Sequence, residues 1–151
     1  MDSRSKISGV TLNNMNIPAK TDYACQALLE LSLHWPNTAP RQVADIAAKR
    51  RIPTKFLVHI LIELKGLGYV ESARGKTGGY YLTAAPQSIK LIDIIQHFGG
   101  FETTSKKKSQ DVMGVIWQEI DSAVVKAMDQ ITFETIVNRH RSAGKAIMYD
   151  I

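Results

Sequence analysis

The stretch from Ile52 to Leu82 constrains the fold more than any other part of this chain, because a helical pattern there runs directly into a hairpin pattern. Apolar residues recur with the spacing of a helix and predict one buried face, formed by Phe56, Leu57, Ile60, Leu61 and Leu64. Pro53 suits the first turn of this helix, where a missing N–H costs nothing. Gly66 and Gly68 suit a left-handed helix end.

A short basic hairpin follows this helix. Tyr69 and Val70 begin a strand, a glycine-rich turn reverses it, and residues 80–83 return. Two basic side chains, Arg74 and Lys76, lie at the predicted tip. A helix followed by such a hairpin is the winged-helix pattern, whose commonest use is to hold a recognition helix in a groove of DNA.

Two further helices are predicted before the recognition helix. The first covers about 20–35, and the second is short, carries Val43, Ile46 and Ala47, and ends at Arg50 and Arg51. Cations are favourable at a helix C-terminus, although the same two arginines could equally contact DNA. The brief turn before the recognition helix predicts a helix–turn–helix.

The rest of the pattern predicts a mainly α fold with a small β-wing: a winged helix–turn–helix plus a long C-terminal dimerisation helix. Residues 1–16 lack any period and read as a flexible tail, and 17–100 form the DNA-binding domain. The polar segment 101–110 reads as a linker loop, and 111–151 hold the dimerisation helix and a last helix capped by Thr132.

The long helix carries an apolar stripe with the 3–4 spacing of a helix pair. Its members are Met113, Ile116, Trp117, Ile120, Ala123, Val124, Ala127 and Met128. A second copy of the chain is the expected partner, since self-association usually forms a two-fold dimer. The alternative is that the stripe packs on the chain's own core.

The excess positive charge lies in the first part of the chain. Residues 1–100 hold 12 Lys and Arg against 7 Asp and Glu, whereas residues 101–151 hold 7 of each. A polyanion partner for the first part is the simplest interpretation, because basic side chains release counterions from phosphates. A generic basic surface is the alternative.

Several other classes of protein are disfavoured. The single cysteine, Cys25, excludes an internal disulfide, and neither a signal peptide nor a membrane span is apparent, so we expect a cytoplasmic protein. The four histidines lack ligand spacing, so no metal site is predicted. No catalytic motif is recognisable, so an enzyme is not expected.

The chain resembles the Rrf2 family of bacterial transcription regulators over about residues 17–142. The resemblance rests on Tyr23-Ala24, Ala44-Asp45-Ile46-Ala47, Ile52-Pro53, Phe56-Leu57, the wing run Arg74-Gly75…Gly78-Gly79-Tyr80, and Ile89…Leu91…Asp93-Ile94-Ile95. It implies a homodimer that binds a palindromic operator, probing the minor groove with Arg74 and bases with Thr54, Lys55 and His59. The same resemblance implies DNA contacts near Lys20, Tyr23 and Gln42, and at the wing residues Lys76, Thr77, Gly78 and Gly79.

One departure from the family concerns its cofactor. Several members hold an iron–sulfur cluster on three cysteines before the long helix, but residues 101–110 contain none, so we expect no cofactor. Control would then come from a small ligand or a protein effector. Two alternative functions are a winged-helix protein-interaction module that has lost DNA binding and a redox sensor using Cys25.

Overall fold

The computed structural model describes residues 17–37, 39–75, 78–100 and 111–149. Within them the elements are, in order, α1 (Ala19–Ser32), α2 (Val43–Arg50), α3 (Thr54–Gly66), β1 (Val70–Ala73), β2 (Gly79–Leu82), a 3-10 turn (Pro86–Ser88), α4 (Leu91–Phe98), α5 (Val112–Asp129) and α6 (Phe133–Tyr149). This order confirms the predicted mainly α fold with a small β-wing. The predicted tail 1–16, the linker 101–110 and two wing-tip residues, Lys76 and Thr77, lie outside the described residues.

Helix α1 forms the centre of the core. Its Ala24, Ala27 and Leu28 are fully buried, and the helix contacts α2, α3, α4 and α6. The alanine side chains let those neighbours approach the α1 backbone closely, since interaxial distance depends on side-chain size. At the first turn, the buried hydroxyl of Thr21 donates a hydrogen bond to the carbonyl of Gly99, just beyond the end of α4.

The face that α3 turns to the core is the predicted one, with a single exception. Leu57, Ile60, Leu61 and Leu64 are buried. Phe56 is 49% exposed, so its prediction as a core residue is wrong. This ring lies at the edge of the apolar stripe, where it stacks on Tyr23 of α1 with 6.3 Å between ring centroids instead of entering the core.

The turn between α2 and α3 is held by backbone conformation and by one buried side chain. Arg51 follows α2 with φ of 54°, a left-handed conformation usually left to glycine. The amide of Ile52 then donates to the carbonyl of Ala47 over 3.0 Å, and the Ile52 side chain is buried. The chain therefore turns sharply and starts α3 at Thr54, so Pro53 is the N-cap residue, one position before the first turn in which it was predicted.

The end of α3 sets the direction of the wing. Gly68 has φ of 86°, and the amide of Tyr69 donates to the carbonyl of Leu64 over 3.1 Å, which together form a Schellman motif. The chain leaves this motif as β1, which pairs antiparallel with β2 in a register that places Val70 opposite Leu82. Because both of these residues are buried, the base of the hairpin is anchored in the core.

A third backbone segment is attached to the wing. The amide and carbonyl of Arg41 form two hydrogen bonds with Tyr80 of β2, of 2.8 and 2.9 Å. A Cβ placed on the neighbouring Gly79 would lie 2.2 Å from the Arg41 carbonyl oxygen. The absence of a side chain at position 79 therefore lets the segment before α2 lie against the wing strand.

The C-terminal helix α6 packs on the same core as α1. Phe133 is fully buried there, and Val137 is 5% exposed. The start of the helix is fixed by the Thr132 hydroxyl, which accepts a hydrogen bond from the amide of Thr135 at 3.2 Å, so the predicted cap is confirmed. None of the helices in the described ranges is long and apolar enough to cross a membrane.

Helix α5 has one face against α4 and another exposed. Met128 is 7% exposed and packs with Ile92 and Ile95, and Val124 is partly buried beside them. The Met128 side chain is therefore covered by the chain's own α4, and its predicted role in dimerisation stays a prediction. The other large members of the predicted stripe are between 38% and 49% exposed: Met113, Ile116, Trp117 and Ile120.

Candidate nucleic-acid interface

The first turns of α3 present polar side chains on the surface. Thr54, Lys55 and His59 are all exposed: Thr54 is the first residue of the helix, and Lys55 and His59 lie on the side away from the buried Leu57 and Leu61. This is where a helix–turn–helix presents its recognition residues to base edges. The exposed surface of α3 also includes apolar side chains, Val58 at 37% and Ile62 at 55%.

Phe56 and Tyr23 form an aromatic pair beside these polar residues. Their rings lie 23° from parallel, and Lys55 Nζ sits 5.2 Å from the centroid of the Phe56 ring. The pair borders a groove of about 350 Å³ between α1 and α3, also lined by Ala19, Lys20, His59 and Ile60. The predicted contact residues Lys20, Tyr23 and His59 are thus brought together around one groove.

Lys20 is already engaged in an ion pair. Its Nζ lies 2.6 Å from Glu63 Oε1 on α3, and His97 Nε2 of α4 lies 3.1 Å from the other Glu63 oxygen. The hydrogen bond from Lys20 is the main cause that lowers the pKa of Glu63, with His97 adding to it. Lys20 thus joins α1 to the recognition helix, and its 52% exposed side chain can still approach a phosphate.

The described part of the wing places Arg74 at the surface. Arg74 follows β1 directly and is exposed, as is Gly75. A Cβ on Gly78 would lie 2.6 Å from the carbonyl oxygen of Ala73, so the tight turn requires glycine there. The structure thus gives Gly78 and Gly79 an internal packing role, whereas the family resemblance implies a role at the DNA surface.

The charges near this surface separate into paired and unpaired groups. Lys65 lies 3.1 Å from Glu71, and Arg50 Nε lies 2.9 Å from Glu30. Among the described residues, no acidic side chain pairs with the exposed cations Arg51, Lys55 and Arg74. These three are the ones best placed to exchange solvent counterions for phosphates. Gln42, another predicted contact, is exposed at the start of α2.

A buried carboxylate beneath this surface was missed in the sequence. Glu30 of α1 is 3% exposed and receives Arg50, which the sequence left between a helix-end role and a DNA contact. Burial would raise the pKa of the Glu30 carboxyl, but hydrogen bonds from Arg50 and His34 and the charges of Arg50 and Lys49 lower it. The sequence did contain a signal for this buried carboxylate: Glu30 is the single acid inside the apolar run from Leu28 to Leu31, and a buried charge needs a partner.

Cys25 and the histidines do not form a reactive or metal-binding site within the described residues. Burial, with a smaller effect of Asp22, raises the pKa of the Cys25 thiol to about 12. A thiol in this state is a poor nucleophile and a poor metal ligand, because both roles need the thiolate. In the described ranges, no three His, Cys, Asp or Glu side chains come together as a metal site.

A protein-family model matches most of the chain. The model for the Rrf2 family, described as iron-dependent transcriptional regulators, matches residues 17–139. A protein of Synechocystis sp. assigned to the HTH-type transcriptional regulators is 31% identical over 135 residues, which cover 85% of this chain and 91% of the relative. The regulator NsrR of Bacillus licheniformis is 29% identical over 82% of this chain and 92% of its own length.

A similar solved structure agrees with these sequence matches. CymR, described as the global cysteine regulator of B. subtilis, superimposes with a TM-score of 0.72 at 26% identity. The similarity covers 82% of this chain and 96% of CymR.

Proposed function

Because this chain belongs to the Rrf2 family of transcriptional regulators, we propose that it binds a palindromic operator as a homodimer and represses transcription there. The proteins it resembles are transcriptional regulators, and this chain is likewise a DNA-binding regulator and not an enzyme. Repression follows where the operator overlaps a promoter, because a bound dimer then blocks access to that promoter.

The observation that supports this proposal best is an exposed polar start of α3 joined through a defined turn to an exposed basic wing. The exposed side chains of Thr54, Lys55 and His59 lie at the start of α3, and the Schellman motif at its end directs β1 towards Arg74. Within this arrangement α3 enters the major groove, while Arg74 reaches the adjacent minor groove, where narrow A·T-rich segments attract arginine. Gln42, Lys20 and Tyr23 contact the phosphates that flank α3.

The dimer is supported by the exposed face of α5. Large apolar side chains at Met113, Ile116, Trp117 and Ile120 are exposed, and Ala123 and Ala127 continue this stripe as small exposed residues. A contiguous apolar surface of this kind is typical of a protein interface. Two copies of α5 packed along this seam would place two recognition helices on one face of a duplex, as a palindromic site requires.

Iron–sulfur chemistry does not fit the residues of this chain. A cluster is held by several thiolates, whereas the sequence has one cysteine, and the thiol of that cysteine is kept protonated by burial. We therefore infer that a small molecule or a protein partner controls this regulator, without a cluster.

The deciding experiment is selection of bound sequences from random duplex DNA with the purified protein, followed by titration of the selected duplex at several salt concentrations. An enriched palindrome, with affinity that falls steeply as salt increases, is the expected result. Absence of any enriched sequence, together with weak binding to all duplexes, would contradict operator recognition and favour a winged helix that docks on protein.

A further inference from the structure

We propose that His34 is a positioning residue for the wing, and that its protonation releases Arg41 and thereby weakens DNA binding. The inference rests on the proposed operator binding. It concerns the side chains of Glu30, His34 and Arg41, which connect the C-terminal end of α1 to the segment that pairs with the wing.

The hydrogen-bond partners fix the state of the His34 ring. Arg41 Nη2 lies 2.6 Å from His34 Nδ1, and a guanidinium can only donate, so Nδ1 must carry a lone pair. The proton of the neutral ring is then on Nε2, which donates to Glu30 Oε2 at 3.2 Å. The imidazole therefore acts as donor and acceptor at once, and this role exists only in its neutral form.

Arg41 connects this ring to the DNA-binding surface. Its backbone amide and carbonyl are paired with Tyr80 of β2, and its side chain reaches back to α1 through His34. The next residue, Gln42, starts α2. The side chain of Arg41 thus adds one link between the segment that pairs with the wing and His34, just beyond the end of α1.

Few other contacts hold the guanidinium in place. The Nε atom of Arg41 is buried and has no hydrogen-bond partner within the described structure. A cavity of about 190 Å³ lies beside it, lined by His34, Arg41, Asp45, Lys49 and other residues of α1 and α2. The guanidinium therefore has room to leave His34 and move towards the Asp45 carboxylate on the first turn of α2.

Protonation of His34 would turn the Arg41 contact from attractive to repulsive. Nδ1 would gain a hydrogen that faces the N–H of a cation, while Nε2 would keep its contact with Glu30. The surrounding charges are Glu30 on α1, Asp45, Lys49 and Arg50 on α2, and Arg141 of α6, which donates to the carbonyl of Leu33 at 3.2 Å. The cations among them oppose a charged ring, and Glu30 holds it on α1, so Arg41 is the group that must move.

The test compares the wild-type chain with His34→Gln on the selected duplex at fixed ionic strength, between about pH 8 and about pH 5, where histidine titrates. A glutamine amide can accept from Arg41 and donate to Glu30, and it carries no titrating proton. Contributions of His59, His97 and His140 are common to both proteins and cancel in the ratio of their dissociation constants. We expect the dissociation constant of the wild type divided by that of His34→Gln to be near one at the alkaline end. At the acidic end this ratio should be about tenfold higher, because the wild type loses one charge-assisted hydrogen bond there.

A flat ratio across this range would overturn the proposal. His34→Lys provides the opposite variant: it places a permanent cation next to Arg41 and should bind weakly at every pH, whereas binding equal to wild type at alkaline pH would also contradict the role of His34. Thermal unfolding of both variants separates a positioning effect from misfolding.

A measurement without DNA tests the same inference if no operator is found. The nitrogen chemical shifts of His34 should identify the Nε2-protonated neutral ring at alkaline pH, and the amide resonance of Tyr80 should shift as this ring titrates. The Tyr80 shift should be absent in His34→Gln. A Tyr80 resonance that titrates equally in both proteins would exclude the coupling, whatever the fate of operator binding.

Discussion

The Nε of Arg50 lies 2.9 Å from Oε1 of Glu30, and these two side chains are only 15% and 5% exposed. The contact joins the last residue of α2 to the last turn of α1. A charged pair withdrawn from water to this degree depends on both partners, because either one left alone would be a buried charge.

Glu30→Ala should lower the free energy of unfolding by about 3 kcal/mol, since Arg50 and His34 both lose their acceptor. Urea denaturation followed by circular dichroism measures the change. The matched control is Glu71→Ala, whose exposed pair with Lys65 should contribute much less to stability. Equal effects of these two changes would show that the Glu30 pair is not a significant source of stability.

The same carboxylate should make stability depend on acid pH. The pKa of Glu30 is lowered in the folded protein, so the folded state favours its charged form. This contribution is complete above the ordinary carboxyl pKa of about 4.3 and is lost as pH falls from there through the folded value. Unfolding free energies measured across that acidic range should therefore fall more steeply for the wild type than for Glu30→Gln. Parallel curves would refute the assignment.

Gly79→Ala should destabilise the chain by about 2 kcal/mol, because the new methyl group would lie 2.2 Å from the Arg41 carbonyl oxygen and φ there is 150°. Gly66→Ala is the control. Its Cβ would have no neighbour within 4 Å, and an alanine in this last residue of α3 should stabilise by about 0.5 kcal/mol. Thermal melts of the two variants should shift in opposite directions, and a shift in the same direction would contradict the close approach of Arg41 to the wing.

Arg74→Ala should weaken specific DNA binding by about 1–3 kcal/mol without changing stability, since its side chain is exposed at the wing. Fluorescence anisotropy on the selected duplex measures the affinity. Lys90→Ala removes the same charge from a residue paired with Asp129, away from the wing, and should change binding much less. If both substitutions reduce affinity equally, Arg74 contributes to binding only through its positive charge and makes no specific contact with DNA.

Ile120→Asp should dissociate the proposed dimer, because a carboxylate would then be buried in the seam between two α5 helices. Analytical ultracentrifugation measures the mass of the particle. Gln118→Asp introduces the same acid on the same helix but away from the apolar face, and it should leave the dimer intact. An unchanged mass for Ile120→Asp would remove this face from the interface.

Much of the fold was predictable because its signals are local. The spacing of Leu57, Ile60, Leu61 and Leu64 indicated the buried face of α3, and Gly68 marked its end. The exposure of Phe56 was not predictable, since it depends on where the edge of the stripe meets Tyr23 of another helix.

The charge network around Glu30 could not be predicted either, because it also depends on contacts between different helices. Glu30 and His34 are only four residues apart, but Arg41 and Arg50 reach them through the packing of the α2 region on α1. By contrast, the apolar stripe of α5 was visible in the sequence, but the packing of Met128 on α4 depends on the positions of both helices.

The backbone pairing between Arg41 and Tyr80 has a consequence for engineering this protein. The hairpin below the tip is tied into the core at Val70 and Leu82 and clamped at its side by Arg41, so its register cannot be altered without disturbing α2. The segment between Ala73 and Gly79 has no such attachment among its described residues. Loop grafts confined to that segment would therefore be the practical way to retune operator preference while leaving the scaffold intact.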